Sequence, residues 1–537
     1  MRKNCFKKIS IGLTLGLASI FSVIYLSSCD SMMKDNDSEV DNNFESTTEV
    51  ICDEQGLIYE LLDDNTYGVR ADSNKCVSEI TIPNTYNDTK VTRILQSGFS
   101  SCYNLTKVVI PDSITTIENY AFNYSSIQTI NIPDSMISIG ERVFYECNNL
   151  EYNEYDNALY LGNDTNPYLY LVKAKNSNIS SCIISPTCKY IMSYAFLNNN
   201  KLYTIDIPKS IISFGYESFC NNIKIIYWGG TLLDWINIKC EDNSEGNYEF
   251  CRGNNWDFSN FYIASDNGTV EHNGIKYELL TELNIPEEIT TIEIGTFNNF
   301  KCITTLTIPK TLTTINAGLK YLNNLTTIYY NGTIDDWFNI KYDGIYSKPQ
   351  CFSSEITFYI LDEFGTIEHN GNKYSLLTDV VVPEGVTSID ANEFYGWKYI
   401  ESVTIPSSVT SIGDSAFYRC SNLKEIRLSN NLVIINDSAF RIYNSLETSI
   451  EKIVIPDSVV SIGNSAFYCI YISKIYYTGS LEKWNNIVID HNNDGLLEKD
   501  LNYDGILDTK IYYYAETKPA DTDHSYWHYV NDEIVEW

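Results

Sequence analysis

The chain repeats itself every 22 or 23 residues, and that period constrains the fold more than any other property of the sequence. One unit, NLTKVVIPDSITTIENYAFNYSS, begins at Asn104, and the next, SIQTINIPDSMISIGERVFYECN, begins at Ser126. Later copies are YIESVTIPSSVTSIGDSAFYRCS from Tyr399 and NLKEIRLSNNLVIINDSAFRIYN from Asn422. The prolines keep time: Pro111 to Pro133, Pro186 to Pro208, Pro286 to Pro309 and Pro383 to Pro406 are steps of 22 or 23. Each unit carries apolar residues spaced L-x-x-L-x-L, as at Leu105/Val108/Ile110 and Ile400/Val403/Ile405. The last two alternate as in a strand, with both side chains on the inner face. Proline then ends the strand, because it has no amide to continue a ladder. A second apolar pair follows (Ile114/Ile117, Val409/Ile412), and then an Ala-Phe at Ala121-Phe122, Ala416-Phe417 and Ala466-Phe467. One such unit cannot bury its apolar face alone. A stack can, with strands about 4.8 Å apart, so the 537 residues read as one growing array and not as three or four globular domains.

This unit resembles the BspA-type leucine-rich repeat of bacterial surface proteins, over residues 57–513. The resemblance implies a β-rich leucine-rich repeat solenoid, curved and right-handed. Parallel strands are expected on one face, short turns and helical corners on the other, and few regular helices. It also implies a binding protein and not an enzyme. Its partners would be extracellular or envelope proteins, host proteins among them, in adhesion or cell contact. The alternative is a structural envelope protein without an external ligand.

Three segments repeat on a longer period: 225–238, 327–340 and 474–487. They carry Trp235, Trp337 and Trp484 at equivalent positions and read as joints, where each indole fills the core as a regular repeat is interrupted. Two of them lead into related stretches containing EHNG hairpin turns, offset by 97 residues. Residues 514–537 are rich in aromatics and read as a C-terminal cap.

The N-terminus gives an address. A basic start and an apolar run end in Leu26-Ser27-Ser28-Cys29, which resembles a bacterial lipoprotein signal over residues 1–28. Cys29 is the expected lipidation site, and the acyl chains would hold the chain on a cell membrane, at the cell surface. Residues 29–56 are acidic and polar, a flexible tether.

Charge removes some partners. With 70 acidic against 37 basic residues, the net charge is −33, which disfavours nucleic acid and anionic lipid headgroups. The 15 cysteines recur mostly at fixed places in the repeat and read as small buried thiols, although Cys182 and Cys188 are close enough in sequence to pair. No catalytic set emerges. His272 and His369 occupy the duplicated EHNG turns, which reads as an inherited hairpin; His491 stands by itself, and His524 and His528 sit in the aromatic cap.

Two candidate sites remain. Residues 490–508 read DHNNDGLLEKDLNYDGILD, in which Asp490, Asn492, Asp494 and Glu498 recur as Asp500, Asn502, Asp504 and Asp508. The D-x-N-x-D-G spacing resembles the front half of a calcium loop, although Leu501 and Ile511 stand where the bidentate acid belongs. No cofactor is required by this reading; calcium is the candidate ion. The second candidate is the row of outward strand positions, Val109, Asn131, Asp206, Asn284, Thr307, Val381, Thr404, Arg427 and Val454, expected to line one broad face for a partner. If the loop binds calcium, millimolar Ca²⁺ raises the melting temperature and EDTA reverses the rise. A melt indifferent to EDTA contradicts the assignment.

Overall fold

The computed structural model describes residues 52–240, 259–342, 356–442, 449–493, 496 and 509–537, apart from positions 294, 299, 317–318, 320–321, 469, 522 and 532. Each repeat makes one coil with two strands. The first is the L-x-L segment, such as Ser402–Thr404, and it lies parallel to the same segment of the next coil, Glu425–Arg427. The second is only two residues long, such as Ser411–Ile412, and pairs in parallel with Ser388–Ile389 and Ile434–Ile435. The strand side is as expected from the sequence. The opposite side is more regular than expected, because its short turns line up into a second parallel sheet, Ser388–Ile389 through Val488–Ile489.

Between the two strands of one coil and the next lies the Ala-Phe corner. These corners are tight turns, not helical ones. Tyr120, Ser415 and Ser465 have φ of 60°, 56° and 58°, a left-handed conformation that stops a right-handed helix after one turn. The corner rings stack from coil to coil: Phe394 on Phe417 at 5.0 Å, Phe417 on Phe440 at 5.2 Å and Phe440 on Phe467 at 5.3 Å between centroids. The glycine before the corner is needed for close approach. A Cβ on Gly413 would lie 2.5 Å from the Ala391 amide nitrogen, and one on Gly215 would lie 2.2 Å from that of Ser193.

α-Helix is confined, among the described residues, to three short segments at the joints: Leu232–Ile236, Ile334–Phe338 and Leu481–Trp484. The first two open with capping boxes, in which Thr231 pairs with Asp234 and Thr333 with Asp336. Trp235, Trp337 and Trp484 are buried, as core fillers should be. Trp235 donates its Nε1–H to the Thr296 carbonyl at 3.0 Å, and Trp337 donates to the buried Glu393 carboxylate at 3.0 Å. The first two helices thus close the gap at the end of one array and seat the next. No described helix is long and apolar enough to cross a membrane. Residues 1–51, with Cys29 and most of the expected tether, lie outside the described residues.

Cys52, Cys76, Cys102, Cys147, Cys182, Cys188, Cys220, Cys302 and Cys420 are free thiols, and all of these but Cys52 are buried. Cys182 and Cys188 are therefore unpaired with each other. At the corners the thiol has a job: Cys147 Sγ donates to the Phe122 carbonyl at 2.9 Å and Cys420 Sγ to that of Phe394 at 3.3 Å, each reaching the preceding coil. Burial pushes the Cys302 thiol up to about 11 and that of Cys188 up to about 12. The unfolded chain ionises these groups near the ordinary value of 9.0, so the thiols draw stability away from the fold as pH rises from 9.0 towards 11. At pH 8 the folded chain is expected to leave these thiols unreactive toward Ellman's reagent until a denaturant opens it. Rapid labelling of native Cys188 or Cys302 contradicts the buried placement.

Candidate binding face

The outward positions of the first strand fall into register from coil to coil. Ile183, Asp206, Tyr227 and Tyr262 form one row. Asn284, Thr307, Tyr329 and Tyr359 form the next. Val381, Thr404, Arg427, Val454, Tyr476 and Tyr512 form the last. Val109 pairs with Thr81, and Asn131 follows Ile130, which pairs with Val108. All nine expected face residues therefore occupy the same position of their coils.

They do not form one open face. Two rows are covered by hairpins that fold back over the sheet. The strand Ile275–Leu279 runs antiparallel to Asn260–Ala264 and turns through Asn273-Gly274 into Val270–His272. Asn273 and Gly274 have φ of 49° and 78°, the left-handed pair that a two-residue hairpin needs and that an Asn-Gly sequence supplies. The turn brings the His272 ring onto Tyr227, with centroids 3.8 Å apart and planes 12° from parallel. Its Nε2 lies 2.9 and 3.0 Å from the Asp206 carboxylate, and the Asn273 side-chain amide donates to the same carboxylate at 2.6 Å. Tyr277 packs edge-on to Tyr227 at 5.0 Å and is buried, which lifts its phenol to about 12.

The second hairpin repeats the device with different polar partners. His369 stacks on Tyr329 at 3.8 Å, and its Nε2 lies 3.2 Å from both the Thr307 hydroxyl and the Glu282 carboxylate. Asn370 donates to Asn284 Oδ1 and Glu282 Oε1, both at 2.9 Å. Thr307 is buried beneath it. The reading of the EHNG turns as hairpins holds, but these histidines clamp the hairpins to the sheet.

At the C-terminus, Ser525–Val530 extends the last sheet in parallel and Glu533–Glu536 folds back on it. Tyr476, Tyr512 and Trp527 form a separate buried cluster with Val454 against it. Glu536 accepts from Tyr476 at 2.5 Å and from Lys474 at 2.7 Å, and Trp527 donates to the Tyr477 carbonyl at 2.9 Å.

The expected face is corrected accordingly. Asp206, Asn284 and Thr307 are engaged by the two hairpins, and Val454 packs against the terminal one. Asn131 is committed to backbone, accepting from the Ile110 amide and donating to its carbonyl, both at 2.8 Å. Among the described residues, the uncovered row is Val381, Thr404 and Arg427, with Val109 apart from it nearer the N-terminus. Val381 is 59% exposed, and the Arg427 side chain is 69% exposed. Arg427 touches Glu425 at 2.7 Å, but so exposed a pair is weak and exchangeable.

Of the expected calcium ligands, Asp490 and Asn492 are described. Asp490 accepts from the backbone and ring of its neighbour His491, and Asn492 donates to Asn464 Oδ1 at 3.1 Å. The adjacent Asn493 is buried and locks the turn, accepting from the Phe467 amide at 3.0 Å. Asp494, Glu498, Asp500, Asn502, Asp504 and Asp508 lie outside the described residues.

Comparison with known proteins settles the family. The family model described as BspA type Leucine rich repeat region matches six copies, over residues 70–165, 174–229, 236–344 and 365–494. The chain belongs to the BspA-type leucine-rich repeat family. Among solved structures, a leucine rich cell surface protein from Faecalibacterium prausnitzii is 20% identical, covering 83% of this chain and 99% of its own, with a TM-score of 0.23. A leucine-rich repeat protein from Bacteroides ovatus is 20% identical, covering 87% and 99%, with a TM-score of 0.29. The pneumococcal vaccine antigen PcpA is 15% identical, covering 84% and 99%, with a TM-score of 0.21. A search of curated protein sequences finds no match.

The hairpin clamp is testable. His272→Ala removes both the ring stack and the contact to Asp206, a loss of about 1.5–3 kcal/mol for a hydrogen bond to a charged group. Amide exchange across 270–279 should accelerate roughly tenfold or more, while the parallel strands Thr204–Ile207 and Ile225–Trp228 keep their protection. Unchanged exchange in the hairpin would show that His272 holds nothing down.

Proposed function

We propose that this BspA-type protein is lipid-anchored and surface-displayed, and binds a protein partner through the uncovered row of its last array, in adhesion or cell contact. The observation that carries this reading is the contrast between rows. Where the outward residues are aromatic, a hairpin covers them; where they are Val381, Thr404 and Arg427, the sheet is bare among the described residues. A bare face of aligned strands on a continuous apolar core gives a partner a rigid surface, so little ordering entropy is lost on binding. Family membership supports a binding role over catalysis. The Leu26-Ser27-Ser28-Cys29 sequence supports a lipid anchor at Cys29, and calcium on the 490–508 loop would brace the last joint.

The test is protease shaving of intact native cells, with the released peptides read by mass spectrometry. Peptides from residues 57–513 are expected from unbroken cells. Release only after lysis contradicts surface display and favours a structural role inside the envelope.

A further inference from the structure

The corner stack has a break. Phe99, Phe122 and Phe144 stack at 5.1 and 5.8 Å, and a new stack begins with Phe196 and Phe219 at 5.8 Å. The coil between them is an insertion. It runs as a meander of Asn153–Tyr155, Ala158–Leu161 and Tyr170–Ala174, and then continues KNSNI, with no Ala-Phe corner. Backbone bonds between corners follow the same interruption. They run Tyr120 to Glu141, Phe122 to Val143 and Tyr124 to Tyr145, and take up again from Tyr194 to Tyr216 and Phe196 to Ser218. Where a corner is missing, the surface holds a cleft of about 350 Å³.

The cleft has an apolar floor of Phe144, Val172 and Met192, all buried. Tyr145 and Leu197, 45% and 41% exposed, stand at its mouth. Its charge is opposite to that of the molecule. Arg142 and Lys173 line it, and no acid does. Another cavity, at the joint before residue 383, is lined by Asp335, Glu384, Asp390 and Glu393 and by no base. A third has Asp112, Asp134 and Asp164 against Lys107. Glu141 is buried and outside the lining of the cleft. Neither Arg142 nor Lys173 has a carboxylate within ion-pair distance among the described residues. Each lies over tyrosine instead: Arg142 is 5.4 Å from the Tyr194 ring centre and 5.9 Å from that of Tyr145, and Lys173 is 4.7 Å from that of Tyr152. These contacts hold the two cations at the cleft while leaving their charge unneutralised.

We propose that this cleft binds an acidic peptide segment of a protein partner, which inserts one apolar side chain between its carboxylates. Charge complementarity selects the acid: in a chain of net charge −33, an acidic segment is repelled in general and finds two unpaired cations here. The floor selects the apolar side chain, and Met192 allows it to vary. Arginine and tyrosine around an apolar pocket is the composition in which binding energy concentrates at protein interfaces. The insertion that removes the corner is what makes the site, so the regular coils lack it. This inference rests on the protein-binding reading and assigns it a second contact, away from the uncovered strand row.

The test titrates residues 30–537, which omit the expected signal and lipidation site, with a fluorescein-labelled DEFED peptide, its DESED version and tetragalacturonate. DEFED should bind saturably. DESED should bind roughly tenfold more weakly or worse, as should DEFED to the Arg142→Gln/Lys173→Gln double variant. Leu197→Glu, which places an acid at the mouth, should weaken DEFED as well. All three positions are exposed, so unchanged circular dichroism and melting are expected in both variants. Absence of saturable DEFED binding, equal binding by the variants, or tighter binding of tetragalacturonate overturns the proposal, the last in favour of an anionic sugar. If it fails while intact cells still release solenoid peptides, this inference falls and surface display stands.

Discussion

Every coil of this protein is half of a core. Its inward Leu, Ile and Val residues and its corner Phe are removed from water only by the coil before and the coil after. The rest of the structure follows from that dependence. Strand pairing, corner stacking and the glycine contacts all require the same period on neighbouring coils. An insertion is therefore tolerated only if the chain leaves the stack and returns in register. At the joints, a short capped helix delivers a tryptophan to the space where a coil would have been. At residues 150–180, a meander takes the place of a coil without supplying a corner, and the stack accepts a cleft in exchange.

The same constraint explains the hairpins. An array that ends exposes the edge of its last strand, and an exposed edge is a liability for aggregation. The strands Asn260–Ala264 and Thr357–Leu361 are each met by an antiparallel strand, and the hairpin then bends over the face. What holds it there is local: a histidine ring on a tyrosine and an asparagine amide on the row beneath. Asp206 and Tyr227 in one array, and Thr307 and Tyr329 in the next, are the floor of a clamp, whereas no described hairpin lies over Thr404 and Arg427 at the matching positions. Identical positions in the repeat thus serve opposite purposes.

The sequence made the repeat, the inward residues and the buried tryptophans legible, because periodic burial leaves periodic apolar residues. It made the hairpin turns legible through Asn-Gly. It did not show that those hairpins fold onto the sheet, since a contact between residues 206 and 272 leaves no mark on either local pattern. A signal was present nonetheless: Tyr227/Tyr262 and Tyr329/Tyr359 put large aromatics where Val109, Val381 and Thr404 are β-branched. The second sheet was likewise hidden, because two-residue strands have no alternation to read. The cleft was announced only by something missing, an Ala-Phe that does not recur between Phe144 and Phe196.

The central claim is that the bare row of the last array contacts the partner while the clamped rows do not. Its most direct test places the photo-crosslinking amino acid p-benzoylphenylalanine at Thr404 or at Thr307 in the protein displayed on native cells, followed by irradiation in the presence of neighbouring cells or host extracts. A discrete crosslinked protein is expected from position 404 and none from position 307. Crosslinks from 307 alone, or from neither position on cells shown to display the chain, would contradict it.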